Sequence, residues 1–361
     1  MPLGGATLHL TNPSYEEICA KFSVFYIDSM YFLALKIDEL TGQTSLVDSG
    51  LKHLITNHPE MTVLRIYLST FSDQGLQIIL TRAAGLRHLV LQLCPDLTGD
   101  GIEARRAENE HCHHPLELES LEMIALLNLS DTGLANITSH IKLDILESLV
   151  MSGCQRISKP ALSMLVNRTS ASLRILCLRS LDFTGCLWHH SLVPLDNLEE
   201  LDISHSKIDD AGLVSLINKI GSNLKKLNLS YVADISFSEI DSLVTLSKLE
   251  SLNISHCWRI KDASFITLIN KVERRLKSLS LAGLLISMCR AGSLSPTGLS
   301  NLEQLDISYC KYVQMDNLAT FLANAPLKKI NGKFSDITRE NVLALFPTVV
   351  FVDVPLNLIS F

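Results

Sequence analysis

Residues 108–117, ENEHCHHPLE, set one cysteine among three histidines: His111, Cys112, His113 and His114. Thiolate and imidazole are the groups that zinc takes, so metal binding is the first chemistry to weigh. Four consecutive residues cannot close a tetrahedral site, because neighbouring side chains diverge. On a helix only His111 and His114 share a face. Two more ligands would have to come from elsewhere, and the sequence offers none in register. Neither a metal nor another cofactor is expected.

The nine cysteines are the next reactive groups. They are spread along the chain in an odd number, which suits reduced, buried thiols better than a disulfide framework. Cys94, Cys154, Cys257 and Cys310 each stand eight residues after the start of a recurring leucine pattern. A nucleophilic thiol needs a nearby base or helix N-terminus to lower its pKa. Four cysteines at one repeating position fill one packing role instead. The chain also lacks G-x-x-x-x-G-K, a strand-linked G-x-G-x-x-G, G-x-S-x-G and H-E-x-x-H. No enzyme is expected.

The recurring pattern is the frame L-x-x-L-x-L with aliphatic substitutions. It appears as MYFLAL at 30, MTVLRI at 61, LRHLVL at 86, LESLEM at 118, LESLVM at 146 and LRILCL at 173. It continues as LEELDI at 198, LKKLNL at 224, LESLNI at 249, LKSLSL at 276, LEQLDI at 302 and LKKING at 327. Most starts are about 25 to 27 residues apart, a leucine-rich repeat period. A second signal follows in DSGLKHLI (48–55), DQGLQIIL (73–80), DTGLANI (131–137), DAGLVSLI (210–217) and DASFITLI (262–269). Each sets an N-cap-like Asp before apolar residues at helical spacing.

A strand, a loop and a helix per unit predict an α/β leucine-rich repeat solenoid of about 12 repeats. The expected shape is a horseshoe with a parallel concave sheet and helices on the convex side. The array is assigned to residues 30–348, after an N-terminal half repeat and capping helix at 1–29 and before a capping strand and tail at 349–361. TGQTS (41–45) lengthens the first repeat. The third is long near 105–117, where Arg105 and Arg106 replace the inward apolar stripe, so a solvated helix or loop is expected.

The unit LESLNISHCWRIKDASF resembles the cysteine-containing leucine-rich repeats of F-box substrate receptors in cullin-based ubiquitin ligases. The resemblance spans roughly residues 30 to 350. It implies a substrate-recognition subunit or regulator without catalytic residues, whose partners are a protein substrate, a Skp-type adaptor and a cullin. The F-box itself is not visible in this chain. SYEEICAKF (14–22) is faintly similar to the box that grips Elongin C, with Ser14 and Cys19 in matching places and Tyr15 where that box has Leu; a plain capping helix is the competing reading. A scaffold or inhibitor unrelated to ubiquitin transfer would use the same surface.

In such a sheet the fifth residue of each frame faces away from the helices. In repeats seven to eleven this position and the one three further on hold Asp202 with His205, Asn228 with Tyr231, Asn253 with His256, and Asp306 with Tyr309. Rings with a polar edge are enriched at interfaces, so these eight residues are the expected partner-binding set. Trp188 and Trp258, in loops after their strands, are the candidate rim anchors. A formal charge of −7 favours no nucleic acid, and no long apolar run calls for a membrane. Without the basic-then-apolar order of a secretory signal, a cytoplasmic or nuclear location is expected. Arg65, Arg179, Lys226 and Lys333 are scattered among acids, which argues against a small anionic ligand.

Overall fold

The leucines of each frame alternate with polar residues, and alternation in an extended chain sends the leucines to one face. The computed structural model describes residues 25–27, 30–34, 44–67, 72–105, 114–184, 188–272, 275–287, 299–335 and 337–352. Contacts divide the chain into two compact units, Met1–Leu173 and Arg174–Phe361.

In the first unit the repeat strands are β2 (Met30–Ala34), β3 (Val63–Tyr67), β4 (His88–Gln92), β5 (Ser120–Ile124) and β6 (Ser148–Ser152), parallel and in chain order. Their register sets Leu64, Leu89, Leu121 and Leu149 side by side, all fully buried. A buried leucine is worth about 1.5–3 kcal/mol, so a repeat becomes stable by stacking on its neighbours. Between the strands run α1 (Thr44–Asn57), α2 (Asp73–Arg82), α3 (Asp131–Ser139) and α4 (Lys159–Arg168). A strand absent from the repeat frame, β1 (Phe25–Ile27), pairs antiparallel with β2 and occupies the hydrogen-bonding edge that β2 would otherwise leave open. The segment 14–22 and residues 106–113 of the long third repeat lie outside the described residues; before the latter, residues 103–105 are not helical.

The second unit continues the pattern through β7 (Ile175–Cys177), β8 (Glu200–Asp202), β9 (Lys226–Asn228), β10 (Ser251–Asn253), β11 (Ser278–Ser280), β12 (Gln304–Asp306), β13 (Lys329–Asn331) and β14 (Val350–Val352), all parallel. These strands have three residues where the repeat strands of the first unit have five, and in β8, β9, β10, β12 and β13 the fifth frame position accounts for it. Asp202, Asn228, Asn253, Asp306 and Asn331 each accept, on Oδ1, the N–H two residues on, at 2.8–3.2 Å. Such Asx turns withdraw that donor from the sheet. In the first unit, Val90, Glu122 and Val150 at this position leave the strand running on.

The helices of the second unit are α5 (Trp188–Ser191), α6 (Asp210–Ile220), α7 (Asp262–Lys271), α8 (Met315–Phe321) and α9 (Arg339–Leu345). The repeat after β9 carries a 3₁₀ turn, Ile240–Ser242, in place of an α-helix. Charges alternate along the second frame position, as Arg174, Glu199, Lys225, Glu250, Lys277, Glu303 and Lys328. Four ion pairs of 2.8–3.0 Å link neighbours in this row. Exposed pairs contribute little each, about 0.2–1 kcal/mol, but alternation keeps like charges apart in adjacent repeats.

The Asp residues that open each helix motif do a different job from the expected one. The N-caps are the residues just before, Ser72, Ser130 and Asp209, whose side chains accept from Gln74, Gly133 and Gly212 N–H. The Asp itself sits in the first helical turn and reaches into the next repeat. Asp73 accepts from Thr98 N and Oγ1, Gly99 N and Gly101 N at 2.7–3.0 Å. Asp131 takes Ser158 N, and Asp262 takes Ser287 N and Oγ. Asp48, four residues inside α1, takes Ser72 N and Oγ. Asp210 holds five donors, the N–H and hydroxyl of both Ser236 and Ser238 and the N–H of Phe237. These bonds lower the Asp210 pKa to about 2 against the opposing effect of burial.

Candidate functional site: a row of rings at the strand ends

Seven residues after each frame start, the chain turns out of its strand through the left-handed region. From Leu93 onward this position has φ between 52° and 70° in every described repeat, and it is glycine only at Gly153 and Gly283. The turn repeats because each of these N–H groups is held by the following repeat: His205 N donates to Ser230 O, Tyr231 N to Ser255 O, His256 N to Ala282 O and Tyr309 N to Lys333 O, at 2.7–2.9 Å. A non-glycine residue in this conformation costs roughly 1–2 kcal/mol, so these side chains are presented against a local penalty.

In the second unit the turn positions hold His205, Tyr231, His256, Gly283, Tyr309 and Phe334. Their rings form one row. His205 stacks on Tyr231 with centroids 4.4 Å apart at 11°, and Tyr231 on His256 at 4.3 Å and 18°. Gly283 interrupts the row, and the His256 ring leans into its place: a Cβ added there would lie 2.5 Å from His256 Nδ1. The row resumes with Tyr309, 6.4 Å from His256, and ends with Phe334, 4.9 Å further on. Tyr231, Tyr309 and Phe334 are 42, 50 and 61 % exposed. Burial lowers the pKa of His256, and nearby His205 acts the same way, against Asp306, which raises it.

Beneath the rings lie the other members of the sequence-derived set. Asp202, Asn228 and Asp306 are buried and Asn253 is half-buried. Besides their Asx turns, Asp202, Asn228 and Asp306 bond across repeats: Asn228 Nδ2 donates to Asp202 Oδ2 at 2.9 Å, and Asn331 Nδ2 to Asp306 Oδ2 at 3.1 Å. Arg179 Nε donates to Asp202 Oδ2 at 2.5 Å. The acids and amides placed on the outward face by the frame are therefore a floor, and the outward layer is the rings. Phe334 belongs to that layer and was missing from the expected set; reading the seventh position one repeat further would have found it.

Trp258 is 52 % exposed in the turn after β10, beside a groove lined by Asp209, Asp210, Asp234, Glu239, Arg259 and Lys261. Leu285 and Tyr312, in the next two turns, are also exposed. Trp188 does not sit in a strand-end turn: it opens the short helix α5, and its side chain lies outside the described residues.

The repeat cysteines are buried. The Sγ–H groups of Cys154, Cys257 and Cys310 donate to Met123 O, Leu229 O and Leu281 O of the preceding strand turn. Burial pushes their pKa to about 11 for Cys154 and about 12 for Cys257 and Cys310, the reverse of nucleophile activation. Of the opening cluster, His114 is exposed, and His111, Cys112 and His113 lie outside the described residues. Among the described residues no group of three or more His, Cys, Asp or Glu is placed to hold a metal ion, and no helix is long and apolar enough to cross a membrane.

The family model described as At1g61320/AtMIF1, LRR domain, matches residues 134–265. The fold is an α/β leucine-rich repeat solenoid. Among solved structures it is similar to Rad7 in the yeast Rad7 and Elc1 complex, with 19 % identity over 86 % of this chain and 88 % of that one and a TM-score of 0.47. An internalin (inlF) from Listeria monocytogenes matches with 17 % identity, 86 % and 95 % coverage and a TM-score of 0.49. A leucine-rich repeat protein from Bacteroides thetaiotaomicron matches with 18 % identity, 75 % and 33 % coverage and a TM-score of 0.46.

Proposed function

We infer that this leucine-rich repeat protein is a non-catalytic protein-binding module whose partner lies along the ring row of the second unit. The observation that carries the reading is the stack of His205, Tyr231 and His256, extended by Tyr309 and Phe334, with Tyr231, Tyr309 and Phe334 exposed along it. Stacked rings held from below offer rigid contact area at little entropic cost on binding. The buried Asp and Asn residues act by fixing the rings, and Trp258 adds an anchor beside the row.

The cysteine-containing repeat unit supports a narrower reading, a substrate-recognition subunit or regulator of a cullin-based ubiquitin ligase. In that role the module presents its bound protein to catalytic subunits supplied by the complex. Affinity purification of the chain with identification of co-purifying proteins tests it. Recovery of a cullin with a Skp-type or Elongin adaptor is the result expected. Their consistent absence, with another protein bound, would overturn the ligase role and leave a scaffold or inhibitor acting through the same row.

A further inference from the structure

The turns that follow β10, β11, β12 and β13 read HCWRIK (256–261), GLLIS (283–287), YCKYVQ (309–314) and GKFS (332–335), with no acidic residue in them. The two turns before them, HSKID (205–209) and YVADIS (231–236), hold Asp209 and Asp234. In a chain of formal charge −7 the later turns reverse the local sign. They are also contiguous: His256 N donates to Ala282 O, Gly283 N to Ser308 O and Tyr309 N to Lys333 O, at 2.7–2.8 Å. With neighbouring strands under 5 Å apart, the four turns span about 15 Å.

Two features coincide on this short surface. Trp258, Leu285, Tyr309, Tyr312 and Phe334 are each at least half exposed. Single exposed apolar residues are ordinary, but five on four hydrogen-bonded turns form a patch. The same turns carry Lys261, Lys311 and Lys333, and among the described residues none of the three forms an ion pair. At the other end of the same strands lysines are answered: Lys277 pairs with Glu250 and Lys328 with Glu303, both at 2.8 Å. Arg259 is already turned to Asp234, at 3.6 Å. Asp262, next after Lys261, accepts from Ser287 N and Oγ of the following repeat, and Asp336 lies outside the described residues.

We propose that these four turns are the docking surface for a short acidic segment of the protein partner, one that interleaves carboxylates with aromatic or leucine side chains. The proposal rests on the reading of the ring row as the partner surface, with which it shares Tyr309 and Phe334, and gives that partner its chemistry. Apolar side chains of the segment bury against Trp258, Leu285 and Tyr312, while its carboxylates answer Lys261, Lys311 and Lys333 and set its orientation. A span of about 15 Å takes roughly five extended residues. A nucleic-acid strand or an anionic membrane reaches further, and would meet Asp209, Asp234 and Glu239, which line the groove on the other side of Trp258.

The test selects phage-displayed random dodecapeptides on the full chain and reads the composition of those enriched. Peptides with acidic residues between aromatic residues or leucines are expected. Their binding, followed by fluorescence anisotropy, should fall about tenfold when Lys311→Glu is combined with Lys333→Glu, and severalfold when salt is raised to about 300 mM. Should the double variant not fold, Lys311→Glu, which alters one exposed side chain, should weaken binding about threefold. Enriched peptides without acidic residues, acidic peptides indifferent to the lysine changes, or no enrichment would overturn the proposal. So would tighter, lysine-dependent binding of a single-stranded thymidine oligonucleotide or of phosphatidylserine vesicles. The reading of the ring row fails separately, when a photo-crosslinker at Tyr231, outside these four turns, captures no protein.

Discussion

Replacing Asp210 by Asn keeps the shape of the side chain and removes its charge. The carboxylate holds five donors of the following repeat, and an amide must turn its own NH₂ toward some of them. The pKa moves from 3.8 to about 2, which for a group shielded from water would correspond to about 2.5 kcal/mol. Asp210 is only half-buried, so solvent screening reduces this to roughly 1–2 kcal/mol. The folded pKa is depressed, so the contribution is complete above the unfolded value near 4 and disappears as pH falls toward 2. Urea unfolding by circular dichroism should find Asp210→Asn about 1–2 kcal/mol less stable than wild type at pH 7, and the gap should shrink steadily from pH 4.5 to pH 2. Amide exchange at Phe237 and Ser238 should accelerate by about tenfold at neutral pH, since their N–H groups lose an acceptor. Equal stability at pH 7, or a gap that does not change with pH, would refute the claim that this Asp clamps one repeat to the next.

Gly133→Ala places a Cβ 2.0 Å from Thr98 O, and the adjoining turn is fixed by Asp73, so a loss of at least about 2 kcal/mol is expected in thermal or urea unfolding. Unchanged stability would mean that this turn yields freely. Iodoacetamide at pH 8, mapped by mass spectrometry, should leave Cys154, Cys257 and Cys310 unlabelled in the native chain and label all three in urea. With a pKa of about 12, Cys257 is thiolate in roughly one molecule in ten thousand at that pH. The sign is opposite to that of Asp210, because a raised thiol pKa stabilises the fold up to the unfolded value near 9 and that contribution is lost at higher pH.

The leucine frame was legible because burial of leucines at positions one, four and six is a local consequence of strand geometry. Leu198, Leu201 and Ile203 are buried as that frame requires. The cysteines were legible for the same reason. What the frame could not show was the partner of each side chain across repeats. Asp73 and Asp210 look like helix caps in sequence, yet the groups they bind lie 25 to 28 residues away, and nothing local distinguishes that role.

The expected binding set divided for a related reason. Asp202 and Tyr231 both sit at outward frame positions, but a short side chain flanked by strands under 5 Å away is covered by its neighbours, whereas a ring on a left-handed turn rises above them. Gly153 and Gly283 were the available signals for that left-handed position, and the histidines and tyrosines filling its other copies obscured them. The β1 hairpin lies before the first frame and follows no repeat rule, so periodicity gave no sign of it.

Site-specific photo-crosslinking would show which face of the second unit holds the partner. A p-benzoylphenylalanine in place of Tyr309 or Tyr231 samples the ring row, and one in place of Asn270, exposed on helix α7, samples the helix side of the same unit. With the partner on the ring row, one discrete protein adduct is expected from positions 309 and 231 and none from position 270. Adducts at position 270 with none at 309 and 231 would contradict it, placing the partner on the helices and leaving the ring row a structural feature of the turns.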